Sequence, residues 1–127
     1  MATTPTSERT LAVPRGHSSH AVPSRPVAFA SVSLVVPCYN EAGGMAKLRE
    51  RLEPVVAELG QLTRLQVVFV DDGSVDTTGA ELRTHFASLP TARVDFAKHE
   101  VILGLTQALR TAAGVATGEV ICTMDSH

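Results

Sequence analysis

The sequence has no tryptophan, one tyrosine and four phenylalanines. That is too few rings to build the platforms on which nucleic-acid bases stack. It also lacks an excess of positive charge: 11 Lys and Arg face 13 Asp and Glu, for a formal net charge of −2. Nothing in that balance draws a nucleic acid. The two cysteines, Cys38 and Cys122, show no metal or redox spacing. Each lies in or beside an apolar run and reads as a small buried hydrophobe in a reducing compartment. No apolar run approaches the roughly 18 residues that would cross a bilayer, and no signal-peptide core follows the N-terminus. Internal repeats are missing. So is the Gly-x-Gly-x-x-Gly that dinucleotide folds carry after their first strand, for which Gly43-Gly44 is no substitute. What is there is enough for one domain with a core: 127 residues, 44% hydrophobic and 19% charged.

Residues 1–30 differ from the rest. They hold four of the seven prolines, eight Ser or Thr, and three Arg against one Glu, with no apolar period. They read as a disordered leader; a transit peptide would need an amphipathic pattern that is missing. From residue 31 the pattern changes. Val32 to Val36 is a β-branched run closed by Pro37, which predicts a buried strand. Met45, Leu48, Leu52, Val55 and Leu59 recur at helical spacing, and Pro54 is expected to kink or interrupt that helix. Leu65 to Val70 predicts a second strand. Asp76 or Thr77 is placed to cap a helix carrying Leu82, Phe86 and Leu89. Val94 to Ala97 is a weak third strand. Leu105 to Ala116 is an Ala-rich helix with Leu105, Ala108, Leu109, Ala112 and Val115 on one face, ended by Gly118. Val120 to Met124 is a fourth strand. Alternation of this kind predicts an α/β fold, a mostly parallel sheet flanked by helices.

Open α/β sheets bind ligands outside the carboxyl ends of their strands, so the residues after each strand carry the functional argument. Tyr39 and Glu41 follow the first: the ring can cover a base and the carboxylate can accept ribose hydroxyls. Equally, Asn40 and Glu41 can simply open the next helix, as cap and dipole partner. After the second come Asp71 and Asp72, the first of which can accept a base N–H or a sugar hydroxyl. Gly73 permits a tight turn at positive φ, although an acidic turn capping a helix would look similar. Lys98 and His99 follow the third and read as solvated loop groups rather than phosphate ligands. Gly104 serves a close backbone approach or merely a turn, and Arg110 lies on a solvated helix face. After the fourth, Asp125 and His127 stand two apart and can hold one divalent cation. Mixed oxygen and nitrogen donors suit Mn²⁺ or Zn²⁺ better than Ca²⁺ or Mg²⁺.

Four ordered blocks then stand together: Pro37-Cys38-Tyr39-Asn40-Glu41; Val70-Asp71-Asp72-Gly73-Ser74-Val75-Asp76-Thr77-Thr78; Gly104-Leu105-Thr106-Gln107-Ala108 with Ala116-Thr117-Gly118; and Met124-Asp125-Ser126-His127. Over residues 32–127 they resemble the family 2 glycosyltransferases, which have the Rossmann-like GT-A fold. Spacing and tone resemble the branch that makes dolichyl- and polyprenyl-phosphate sugars. The resemblance implies a nucleotide-sugar-binding set of Pro37, Tyr39, Glu41, Phe69 through its backbone, Asp71, Asp72, Asp125 and Ser126. It implies a divalent cation, Mn²⁺ or Mg²⁺, flanked by Asp125 and His127 and bridging the diphosphate. It further implies a UDP- or GDP-sugar donor, an acceptor that is a lipid phosphate or a glycan, an inverting displacement, and no nucleic-acid partner. The setting it implies is cytoplasmic, in solution or at the cytoplasmic face of a membrane, reached through a C-terminal part beyond residue 127.

This chain departs from the family pattern in two places. His127 replaces the last acid of Asp-x-Asp; related polypeptide N-acetylgalactosaminyltransferases hold Mn²⁺ with Asp-x-His. Ile102 stands where many members carry Asn. Residues 31–127 are thus expected to be the donor-binding part of a GT-A domain, cut at the metal motif, with the general base beyond it and no transferase activity alone. The alternative is a non-catalytic or vestigial nucleotide-binding α/β domain. A receiver-type signalling domain would need an acid pair where Pro37-Cys38-Tyr39 stands.

Overall fold

The computed structural model describes residues 30–127. Apart from Ala30, the expected leader lies outside the described residues. Seven elements follow in strict alternation: β1 (Ser31–Cys38), α1 (Met45–Leu62), β2 (Arg64–Asp71), α2 (Thr78–His85), β3 (Ala92–Lys98), α3 (Leu105–Val115) and β4 (Val120–Thr123). The four strands form one sheet in the order β3-β2-β1-β4, and every pairing is parallel. The predicted fold class is the observed one.

The order dictates where the helices fall. The first two crossovers step outward in one direction and the third reverses. With right-handed connections the third helix must land on the opposite face. Side-chain alternation along the strands confirms the split. Val32, Leu34, Val36 and Cys38 of β1 join Leu65, Val67 and Phe69 of β2, packing with Met45, Leu48, Leu52 and Val56 of α1 and with Leu82 and Phe86. The intervening Val35, Val68 and Val70 face the other way, against Ala108 and Ala112 of α3. Both faces are therefore covered, as unbroken apolar strands require. Phe69 anchors the first layer: it is fully buried, 4.5 Å from Phe86 and 5.7 Å from Phe96 between ring centroids.

Some expectations need correction. Pro54 does not interrupt α1, which runs unbroken across it. Pro54 and Glu50, whose carbonyl loses its partner, are both exposed, so water can satisfy the freed group while Leu52 and Val56 hold the buried face. Gly118 does not end α3; the helix stops at Val115 and Ala116 is already extended. Gly118 is needed instead because a Cβ there would lie 2.6 Å from the Ser33 nitrogen. Leu105, expected on the inner face of α3, is 41% exposed. Pro37 lies within β1 rather than closing it. The Val35 carbonyl accepts the Met124 amide and the Cys38 carbonyl accepts the Asp72 amide. Alternation then turns the donorless Pro37 nitrogen toward β4 beyond its last residue, where no ladder bond is lost.

Candidate functional site

The sheet order reverses between β1 and β4. In doubly wound sheets the crevice outside the carboxyl ends at such a reversal is where ligands sit. Two loops meet there, Tyr39–Gly44 after β1 and Met124–His127 after β4, and they are joined by one carboxylate. Glu41 Oε2 accepts the Ser126 hydroxyl and lies 3.6 Å from His127 Nδ1. It also caps the Tyr39 amide at 3.4 Å. Ser126 is buried, whereas the His127 side chain is 84% exposed. Arg51 of α1 reaches the loop by donating to the Asp125 carbonyl at 3.0 Å. Helix α1 starts only at Met45, and its N-cap Gly44 offers no side-chain cap. Asn40 and Glu41 therefore do not open that helix, and that reading is set aside.

Tyr39 is 39% exposed at the crevice edge. Cys38, the residue before it, is buried. Burial, then the neighbouring Glu41, push its thiol up to about 12, so it is an inert apolar group rather than a nucleophile. Burial raises Cys122 too. Both cysteines are free.

The loop after β1 is held in an unusual backbone path, with Asn40 at φ 48° and Gly43 at φ 86°. Side chains from the β2–α2 segment hold its amides one by one. Ser74 Oγ accepts Asn40 N–H at 2.9 Å, Thr78 Oγ1 accepts Glu41 N–H at 2.7 Å, Asp76 Oδ2 accepts Ala42 N–H at 3.2 Å, and Glu81 Oε1 accepts Gly43 N–H at 2.8 Å. In return Asn40 Oδ1 accepts the Val75 amide at 2.9 Å. The Thr78 hydroxyl and amide both donate to Asp76 Oδ1. These bonds, the hydroxyl's foremost, hold the Asp76 carboxyl below its ordinary range. Thr77 does the same for Glu81. Asp76 thus caps α2 from just outside it, as one of the two expected caps.

The adjacent acids Asp71 and Asp72 are both buried but differently employed. Asp71 Oδ1 accepts the Ser74 amide at 3.0 Å, and Oδ2 faces Gly79, where an added Cβ would come within 2.7 Å. Asp72 is fully engaged: Oδ1 takes His99 Nδ1 at 2.7 Å and Leu103 N–H at 2.9 Å, while Oδ2 takes Gly104 N–H at 3.0 Å. The other His99 nitrogen meets Thr111 Oγ1 at 2.8 Å. His99 is therefore a buried linker between β2, β3 and α3, not a solvated loop group. Lys98 and Arg110 are exposed. Gly73 adopts φ 75° as expected, and a Cβ there would strike the Val101 carbonyl carbon at 2.2 Å. Gly104 has φ 97° with nothing near its absent Cβ, so it serves the turn and not a close approach. Phe69 sits inside the ladder between Val36 and Phe96 with its ring in the core.

Reading along the chain missed the four clamping residues and the role of His99. The Asp-Thr-Thr at the start of α2 signalled a cap, but nothing local signals that the same groups grip a loop over thirty residues earlier in the chain. Among the described residues no three His, Cys, Asp or Glu side chains converge as a metal cage. Glu41 and His127 do supply a carboxylate and an imidazole side by side at the crevice, with Asp125 two residues from His127. That donor set fits a cation shared between protein and a phosphate-bearing ligand rather than one enclosed by protein. No helix among the described residues is long and apolar enough to cross a membrane.

The family described as Glycosyl transferase family 2 matches residues 33–127. The undecaprenyl-phosphate 4-deoxy-4-formamido-L-arabinose transferase of Pectobacterium carotovorum is 32% identical over 96 residues, 76% of this chain and 28% of that protein. The dodecaprenyl-phosphate galacturonate synthase of Rhizobium johnstonii is 32% identical over 102 residues, 79% of this chain and 29% of that one. The chain therefore spans under a third of the length of these relatives. In structure it resembles the mannosyltransferase PcManGT of Pyrobaculum calidifontis in complex with GDP-Man and Mn²⁺. That likeness has a TM-score of 0.66 at 26% identity and covers 87% of this chain and 31% of the other.

Proposed function

Because the chain belongs to glycosyl transferase family 2, we propose that its residues 31–127 form the donor-binding part of an enzyme that moves a sugar from a nucleoside diphosphate to an acceptor. The donor is a UDP- or GDP-sugar, and the acceptor is a lipid phosphate or a glycan hydroxyl. The names of the two relatives, both built on polyprenyl phosphates, favour the lipid phosphate and with it work at the cytoplasmic face of a membrane. The acceptor oxygen attacks the anomeric carbon with inversion, the bond to the diphosphate oxygen breaks, and the nucleoside diphosphate leaves. The base that takes the acceptor's proton, where one is needed, is assigned to sequence outside these 127 residues, and the chain alone is expected to transfer no sugar.

One observation carries the reading: at the reversal of strand order, a carboxylate after β1 meets a hydroxyl and an imidazole after β4. In the proposed roles, Pro37 and Tyr39 wall the nucleoside and Ser126 orients Glu41. Asp71 accepts a base N–H or ribose hydroxyl, because it takes one protein hydrogen bond among the described residues where Asp72 takes three. Asp72 supports the site by fixing the loop before α3, and Phe69 by fixing β2. Asp125, His127 and Glu41 would hold Mn²⁺ or Mg²⁺, which when bound neutralises the departing diphosphate. Calorimetric titration of the chain with GDP and with UDP, in the presence of Mn²⁺, tests the proposal. Micromolar to millimolar binding of one of them that is lost in Asp71→Asn supports it. No binding of either sinks it.

A further inference from the structure

We infer that Ser74, Asp76, Thr78 and Glu81 are positioning residues that set the nucleotide-binding loop Tyr39–Gly43 in its binding shape, so that the tail of the second motif acts through the first. This inference rests on the donor-binding reading above. Four consecutive amides, Asn40 to Gly43, each donate to a different side chain of the β2–α2 segment. A loop merely covering the sheet end would leave such amides to water. Asn40 is one of two non-glycine residues at positive φ among those described, a conformation asparagine tolerates more readily than most side chains and that its surroundings here hold in place. Both the amide and the side chain of Asn40 are held by the segment Ser74–Val75.

Thr78 is the centre of the clamp. It is wholly buried, its hydroxyl accepts the Glu41 amide, and it passes its own proton toward Asp76. An amide, a hydroxyl and a carboxylate in line polarise one another. The backbone of Glu41 is thereby fixed by the β2–α2 segment while its carboxylate is presented to Ser126 and His127. Asp76 adds a second grip through its other oxygen on Ala42, and Glu81 a third on Gly43. None of the four clamping side chains bonds to Asp125, Ser126 or His127 among the described residues. They act through the loop.

The test uses Thr78→Val, which keeps the shape and deletes the hydroxyl, beside Thr78→Ser, which restores it. Amide hydrogen exchange by NMR is read together with the affinity for GDP or UDP with Mn²⁺. The expected result is selective: in Thr78→Val the amides of Glu41 and its loop neighbours exchange at least about tenfold faster, strand amides of β2 stay protected, and nucleotide affinity falls about tenfold. Thr78→Ser recovers both. Two results overturn the inference. If Thr78→Val loosens the loop yet binds nucleotide as tightly as the parent, the clamp does not position the ligand site. If the valine variant leaves loop exchange unchanged, there is no clamp. Should the parent protein bind neither nucleotide, the donor-binding reading fails and takes the inference with it, an outcome separate from both.

Discussion

The two ends of the sheet are built from similar residue types and do different things. At the amino end of the strands lies an open cleft of about 730 Å³ lined by Arg64, Arg93, Gln66, Thr91 and Thr117, beside Ser31 where β1 begins. Its Gln66 and Arg93 side chains are paired within the protein. Gln66 Oε1 accepts from Ser33 and the Thr117 amide, its Nε2 donates to Asp95, and Arg93 pairs with Asp95 at 2.9 Å. At the carboxyl end the carboxylates of Glu41 and Asp71 keep acceptor capacity and a histidine stands exposed. Side chains paired with one another, like Gln66 and Arg93, brace the fold, whereas carboxylates only partly used at the strand-order reversal leave contacts for the proposed ligand.

The sharpest way to break this contrast is a glycine at each end. Gly73→Ala and Gly118→Ala both force a Cβ onto backbone, at 2.2 and 2.6 Å. Gly73 also pays for positive φ, so its alanine variant is expected to lose about 3 kcal/mol or more in urea unfolding. Gly118→Ala should be milder. Nucleotide affinity of the folded fraction should collapse only for Gly73→Ala, and an equal loss for Gly118→Ala would erase the distinction between the ends.

Next in size are the neighbouring acids. Asp72→Ala strands two part-buried amides and a buried histidine and is expected to cost about 2–4 kcal/mol. Asp71→Asn should cost less stability but more nucleotide affinity. A reversed order, measured by unfolding and calorimetry on the same samples, would exchange the roles given to the two. At the far end, Gln66→Leu removes a fully bonded buried amide and should lower stability by about 1–3 kcal/mol without moving nucleotide affinity.

The smallest effect is one of pH. Asp76 and Glu81 are held below their ordinary values of 3.8 and 4.5. A depressed carboxyl stabilises the fold fully above its unfolded value, and that contribution fades as pH falls through the lower, folded one. Stability should therefore decline as pH drops below about 4.5, and Asp76→Asn with Glu81→Gln should flatten that limb. Since both groups are at the surface the change is modest, and an unaltered acid limb would show that their hydrogen bonds contribute nothing to the fold.

Much of this architecture was legible along the chain because strand and helix periods are local properties. Val32–Val36 and Leu65–Val70 read as buried strands and are found as such, and the acids at the strand ends pointed to the edge where the ligand is proposed to bind. What escaped depends on residues far apart. Pro54 looked like a break because its cost is local, while the burial of Leu52 and Val56 that overrides it is tertiary. His99 looked solvated because neither Asp72 nor Thr111 is near it in sequence. Asp76 read as a helix cap, which it is, but its second oxygen serves a loop that only the fold brings near. The motif singles out Asp71 of the pair; what the fold adds is that Asp72 is used up by His99 and the Leu103 and Gly104 amides.

The most direct measurement of the central claim uses the paramagnetism of Mn²⁺. An amide-correlation NMR spectrum is recorded with GDP or UDP and a trace of Mn²⁺. The account predicts line broadening centred on Tyr39 to Ala42 and Asp125 to His127, with the amides of Ser31, Gln66 and Thr117 spared. Broadening centred on the cleft at the amino end, or spread evenly over the surface, would contradict it.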